Sequence, residues 1–296
     1  MSFAEEGEAR LYYEIRGPRQ GAPVLLIHGF GQQLVQWDVI GLSSRLIERG
    51  CRVVQYDQRD CGLSTRFEGP EISSIGDLER RQERGEPIVL PYGLEDMVTD
   101  VFSVMDACGV KSAAVVGHSL GGVVALLAAL RQPERVEAVA MVSASLDNAG
   151  RLGPPPPGSA AIVEEVCTLR HPPELMLESI KWLQWVQSSP SFPMPLDLAA
   201  DAARLMAERG YDVAGNLRQL AAFRAAHIPL DVLSRLEVGA LIVHGSEDPL
   251  LPVAHGKDIA ATLPHSELLV FEGAGHNVTP SMVADLTDHL LEFFES

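Results

Sequence analysis

The chain has 296 residues, with 23 Lys and Arg against 40 Asp and Glu, a formal net charge of −17. That balance excludes a nucleic-acid binder, which needs a basic face to meet phosphates, and it excludes docking on anionic lipid. Apolar residues at 46% supply a sizeable core, and 26 Gly and 20 Pro are too dispersed for low complexity, so the length fits one large α/β domain or a core with an inserted subdomain.

The cysteines Cys51, Cys61, Cys108 and Cys167 have irregular spacings and no CxxC pair. This pattern reads as reduced thiols in a cytoplasmic protein and offers no zinc site. Met1–Arg10 carries three glutamates and no apolar run, so no secretory signal is expected. Ser112–Leu130 has 19 residues without a formal charge, about the length of a membrane span. Gly117, Gly121 and Gly122 interrupt it, and a strand, turn and helix explain it better.

In chain order, Leu11–Ile15 reads as an early strand, and Val24–Ile27 as a buried parallel strand ending in the loop His28-Gly29-Phe30-Gly31. Leu34–Glu48 reads as one helix stopped by Gly50, followed by a strand at Arg52–Tyr56. Arg66–Tyr92 is a polar excursion with a short helix near Ile75–Glu83. Leu94, Met97, Val98, Val101, Met105 and Cys108 recur at three- and four-residue steps, an amphipathic helix that Gly109 ends. A strand at Ala113–Val116, a helix at Leu120–Arg131 and a strand at Val136–Val142 continue the alternation of a parallel sheet covered on both faces.

The alternation then breaks. Gly153–Gly158 contains four consecutive prolines, a stiff connector, and Ser159 to about His227 reads as helices only. The expected organisation is a core of residues 1–145 and 230–296 with a helical cap inserted at 146–229. Strand and helix resume at Ala240–Val243, at a helix opened by Pro252, at Leu268–Phe271, and at a terminal helix to about Phe294 with Thr279 as N-cap and Pro280 at its first position.

The strongest chemical signal is Gly117-His118-Ser119-Leu120-Gly121, placed between a strand and a helix as a nucleophile elbow requires. A sharp reversal there strains the central residue and pushes the serine hydroxyl out at the carboxyl edge of the sheet. A serine needs a base. His276 follows the last strand on the Gly-rich loop Glu272-Gly273-Ala274-Gly275, whereas His265 precedes a strand, His289 lies inside a helix, and His118 reads as structural. The base needs a carboxylate, and Asp248 follows the strand Ala240–Val243. Its neighbour Glu247 is the rival, and the shorter residue before Pro249 suits a fixed loop. The developing oxyanion needs donors, for which the backbone N–H groups of Phe30 and Leu120 are placed. Apolar bulk for a substrate pocket is expected from Trp182, Trp185, Phe192, Met194, Met206 and Phe223, with Trp37 just after the oxyanion loop. No HExxH, P-loop or strand-following GxGxxG occurs, so neither metal nor nucleotide is expected.

These motifs, with Asp57-Gln58-Arg59-Asp60-Cys61-Gly62-Leu63-Ser64 and His244-Gly245-Ser246-Glu247-Asp248-Pro249, make the chain resemble the α/β-hydrolase fold over essentially its whole length. Within that fold it is similar to the bacterial capped serine esterases of the aclacinomycin methylesterase type, sharing the Arg59-Asp60 turn and the helix start Val253-Ala254-His255-Gly256-Lys257. The commoner turn reads Arg-Gly; Arg59-Asp60 marks the subfamily. The resemblance implies an eight-stranded, mostly parallel sheet flanked by helices, an inserted helical cap, no cofactor and hydrolysis of a carboxylic ester. The expected partner is a small, largely apolar ester or lactone, with no nucleic acid and no membrane insertion; the oligomeric state stays open. The rivals are carbon–carbon bond hydrolysis or cofactor-free perhydrolysis by the same three residues, and a receptor that kept the fold without turnover.

Overall fold

In the computed structural model, residues 1–69, 72, 74–86, 88–148, 150–168 and 173–296 are described. The parts of the expected excursion at 70, 71, 73 and 87, and of the expected cap at 149 and 169–172, lie outside the described residues. Eight strands form one sheet: β1 (Ser2–Glu6), β2 (Ala9–Arg16), β3 (Pro23–Ile27), β4 (Arg52–Tyr56), β5 (Ala113–His118), β6 (Val136–Val142), β7 (Ala240–Gly245) and β8 (Ser266–Phe271). Their spatial order is β1-β2-β4-β3-β5-β6-β7-β8. The first two strands pair antiparallel, β2 runs antiparallel to β4, and all the other pairings are parallel.

Helices follow the strands as the alternation requires. Before β6 they are α1 (Val35–Val39), α2 (Leu42–Glu48), α3 (Ile75–Glu83), α4 (Leu94–Ala107) and α5 (Leu120–Arg131). Between β6 and β7 stand α6 (Ser159–Thr168), α7 (Pro173–Val186), α8 (Leu196–Arg209), α9 (Val213–Ala225) and α10 (Leu230–Leu233). The chain closes with α11 (Ala254–Thr262) and α12 (Val283–Glu295).

The central strands are buried on both faces, and the side-chain period of two divides their residues between two cores. Leu25 and Ile27, Val115, Val139 and Met141, and Ala240 and Ile242 pack with α4, α5 and Ile259 of α11. Val24 and Leu26, Val116, Ala140 and Val142, and Leu241 and Val243 pack with α2 and α12 on the other side. Every strand that carries a motif is thus clamped from above and below, and its carboxyl end is fixed to the positions of its neighbours.

Four local expectations are corrected. The early strand is preceded by β1, whose glutamates hid it; only Ala4 is deeply buried along it, as on an edge strand with one wet face. The single helix expected over Leu34–Glu48 is two, because Gly41 adopts φ 87° between them. The helix expected to open at Pro252 starts at Ala254. Thr279 makes no side-chain cap bond, and a 3₁₀ turn at Pro280–Met282 leads into α12. Among the described residues no helix is long and apolar enough to cross a membrane.

Candidate active site

The reversal from β5 into α5 carries Ser119 at φ 52° and ψ −117°, a conformation non-glycine residues rarely hold. Glycines two positions to each side make it possible. A Cβ on Gly117 would lie 2.1 Å from the Gly121 carbonyl oxygen, and one on Gly121 would lie 2.3 Å from the Ile27 carbonyl oxygen. The Ser119 amide donates to Val142 at 2.8 Å, which ties the elbow to the end of β6. Its hydroxyl does not cap the helix it precedes. It faces instead a cavity of about 910 Å³, lined also by His276, Phe30 and Leu120.

The loops after β7 and β8 bring the other two residues together. His276 Nδ1 lies 2.7 Å from Asp248 Oδ2, both side chains being almost wholly buried. Asp248 Oδ1 accepts the backbone N–H groups of Leu250 and Leu251 at 2.8 and 2.9 Å, and His244 Nε2 stands 3.5 Å from Oδ2. Burial pushes the Asp248 carboxyl up, but His276, His244 and these amides outweigh it and hold the group well below the usual carboxylate range. An ionised Asp248 keeps the imidazole proton on Nδ1 and leaves Nε2 as the acceptor. Glu247 is exposed, with its amide donating to the Ala274 carbonyl. Of the adjacent pair, therefore, only Asp248 reaches the imidazole.

His118 is buried beside this chemistry, its ring centroid 5.0 Å from that of His276. Its Nε2 donates to the His276 carbonyl at 3.0 Å, and burial followed by the neighbouring His276 ring pushes its pKa down to about 3. The ring is neutral and fixes the backbone that carries His276. His265 and His289 stand at the exposed surface. The loop His28–Gly31 presses against the elbow: a Cβ on Gly29 would lie 3.2 Å from the Ser119 Cβ. Phe30 and Leu120 line the same cavity as Ser119.

The expected aromatic pocket is corrected. Trp37 is 2% exposed in the core, edge-on to the His118 ring, and Trp182 and Trp185 are 39% and 51% exposed. None of the three lines the cavity. The reason is helical phase: on α7, Ile180 and Leu183 point inward, which turns positions 182 and 185 to solvent. Phe192, Met194 and Met206 pack in cores, and Phe223 alone of the expected cap residues lines the cavity, with Leu220, Val163 and Leu250.

Sequence reasoning missed the anchoring of the helices between β6 and β7. Arg218 of α9 holds Asp60 and Arg209 of α8 holds Asp57, both on the loop after β4. It also gave no role to Ser145 or His255, which line the cavity. The His255 motif was visible, but nothing near it in the chain showed what the ring meets.

An eight-stranded sheet with this strand order, an elbow at the end of β5, and a carboxylate and histidine on the loops after β7 and β8 defines a class. The chain belongs to the alpha/beta hydrolase family, whose model matches residues 24–288. It is similar to rhodomycin D methylesterase DnrP of Streptomyces peucetius, 27% identical over 296 residues, covering 91% of this chain and 89% of that one. It is similar also to RutD of Caulobacter segnis, a protein named for a proposed carbamate hydrolase activity, 28% identical over 291 residues and covering 96% of each. Among solved structures, the esterase EaEST from Exiguobacterium antarcticum superposes with a TM-score of 0.76 at 21% identity, over 100% of this chain and 99% of that one, a likeness of fold.

Proposed function

We propose that the protein is a serine hydrolase of carboxylic esters or lactones. The observation that carries this reading is the strained Ser119 facing the same cavity as His276, whose Nδ1 is held at 2.7 Å by Asp248. Ser119 Oγ attacks the carbonyl carbon while His276 Nε2 takes its proton. The Phe30 and Leu120 N–H groups receive the oxyanion at the positive end of α5. His276 then protonates the leaving alcohol, and the acyl group stays on Ser119. Water, deprotonated by His276, attacks the acyl-enzyme and releases the acid. Asp248 holds the imidazole in register and stabilises its cation. Segment 146–229 acts as the cap, roofing the carboxyl edge of the sheet with the apolar wall that includes Phe223. The methylesterase relatives support an ester as substrate.

The RutD relatives favour a second reading, a carbamate as the acyl group, which the same three residues can cleave. The test is turnover of methyl esters, lactones and carbamates of matched size, alongside labelling with an organophosphonate. Ester turnover, with one phosphonyl mass on the peptide holding Ser119, is expected. Faster cleavage of the carbamates would select the second reading, and a label on another serine with activity lost would overturn Ser119 as nucleophile.

A further inference from the structure

We propose that Ser145 and His255 form a subsite for an uncharged hydroxyl group of the substrate, on the wall of the cavity built from the loop after β6 and the start of α11. The inference rests on the reading of Ser119 and His276 as the reacting pair, since all four side chains line one cavity. Ser145 is 5% exposed, and its Oγ lies 2.7 Å from His255 Nδ1. The same Oγ accepts the Asp147 amide at 2.9 Å. Its proton has no acceptor among the described residues other than the His255 nitrogen. The serine therefore donates to Nδ1, and the ring proton sits on Nε2.

That Nε2–H has no protein acceptor among the described residues. Burial lowers the His255 pKa, so the ring is neutral and offers a hydrogen bond without a charge. Asn148 lines the same wall, with its Nδ2 committed to the Phe223 and Ala226 carbonyls and its Oδ1 turned to no donor among the described residues. A hydroxyl both accepts and donates, which suits an N–H beside an amide oxygen. A carboxylate does not suit it, because Asp147 stands on this wall. Burial pushes the Asp147 carboxyl up, but the Leu152 and Arg151 amides outweigh that and keep it ionised. A purely hydrocarbon substrate would leave the Nε2–H donor without a partner.

The test uses methyl 3-phenylpropanoate and its ortho-, meta- and para-hydroxyl counterparts. Hydrolysis is followed by proton release, and dissociation constants are measured calorimetrically in Ser119→Ala. One hydroxyl isomer is expected to be preferred over the parent, in kcat/KM and in Kd, by about five- to tenfold. Ser145→Ala and His255→Phe should each collapse that ratio toward one, and the corresponding ring carboxylate should bind more weakly than the phenol. No preferred isomer in either measurement overturns the subsite, as does a preference that survives intact in both variants or a carboxylate bound as tightly as the phenol. If none of the esters turns over, the hydrolase reading fails, and the Kd ratios still decide the subsite.

Discussion

Arg218 grips Asp60 with both faces of the ion pair aligned, Nε to Oδ2 and Nη2 to Oδ1, each at 2.8 Å. Asp60 is fully buried at φ 67°, and its carboxylate also accepts the Tyr92 hydroxyl at 2.6 Å and the Phe67 amide at 2.8 Å. The preceding residue points the other way, Arg59 forming a two-bond pair with Asp100 of α4 at 2.7 Å. Two neighbouring residues thus fasten the loop after β4 in two directions, one to α4 and one to α9. The Arg59-Asp60 turn, where a glycine is commoner, accepts backbone strain at position 60 in exchange for a carboxylate that a glycine lacks.

Removing one partner of such a pair leaves a buried charge uncompensated, a loss of about 3–5 kcal/mol. Arg218→Ala should therefore lower the thermal midpoint on the order of 10 °C. Asp60→Gly combined with Arg218→Leu should recover part of that loss, since both charges go together and glycine relieves φ, while the Tyr92 hydroxyl and the Phe67 amide lose their acceptor. Calorimetric melting of the single and double variants checks this. A single variant that melts like the wild type would show that the pair does not anchor α9.

Legibility in the chain divides along the same line. The elbow, His276 and Asp248 were readable because each sits in a short motif whose local geometry is forced: a strand end, a tight loop, a helix start. Asp60 and Arg218 are 158 residues apart, and no local pattern pairs two charges at that distance. The same holds for Ser145 and His255, 110 residues apart. The tryptophans of α7 show a different failure. Apolar residues occur all round that helix, so the sequence supplied bulk without phase, and the packing of Ile180 and Leu183 decided which side met solvent.

Asp248 and Glu247 make a controlled comparison one residue apart. Asp248→Asn should leave the His276 imidazole in the wrong tautomer and lower kcat by up to about 10⁴. Glu247→Gln should change it little, because that side chain is exposed. Steady-state kinetics on one methyl ester measure both. A larger loss in the Glu247 variant would reassign the carboxylate.

His118 predicts a pH dependence of stability. Its pKa falls from 6.5 to about 3 on burial, so the folded state refuses a proton that the unfolded chain binds. For a depressed pKa the stabilisation is complete above pH 6.5 and is lost as pH falls toward 3. His28 and His255, also lowered by burial, act in the same direction. Asp248, depressed as well, adds its loss only below its ordinary value of 3.8. Replacing His118 with Gln should flatten the slope of unfolding free energy between pH 6 and 4 by about 1.4 kcal/mol per pH unit. Urea unfolding at a series of pH values reads the slope, and an unchanged slope would mean that His118 binds its proton in the folded state.

Substrate size should answer to Phe223 and not to the tryptophans. Phe223 lines the cavity, whereas Trp182 and Trp185 lie on the outer face of α7. Each methylene buried against the cavity wall adds about 0.8 kcal/mol, so selectivity rises by less than about tenfold per carbon and then falls when the space fills. Phe223→Ala enlarges that space and removes apolar wall at once. Short acyl chains should lose kcat/KM through a higher KM, and the preferred chain should become longer by a few carbons. Trp182→Ala and Trp185→Ala should leave the profile where it is. The measurement is kcat/KM across p-nitrophenyl esters from acetate upward, for the wild type and each variant, with melting curves to show that folding is intact. A profile that moves with the tryptophans and stays fixed with Phe223 would mean that substrate is read at the outer face of α7 and not in the cavity beside Ser119.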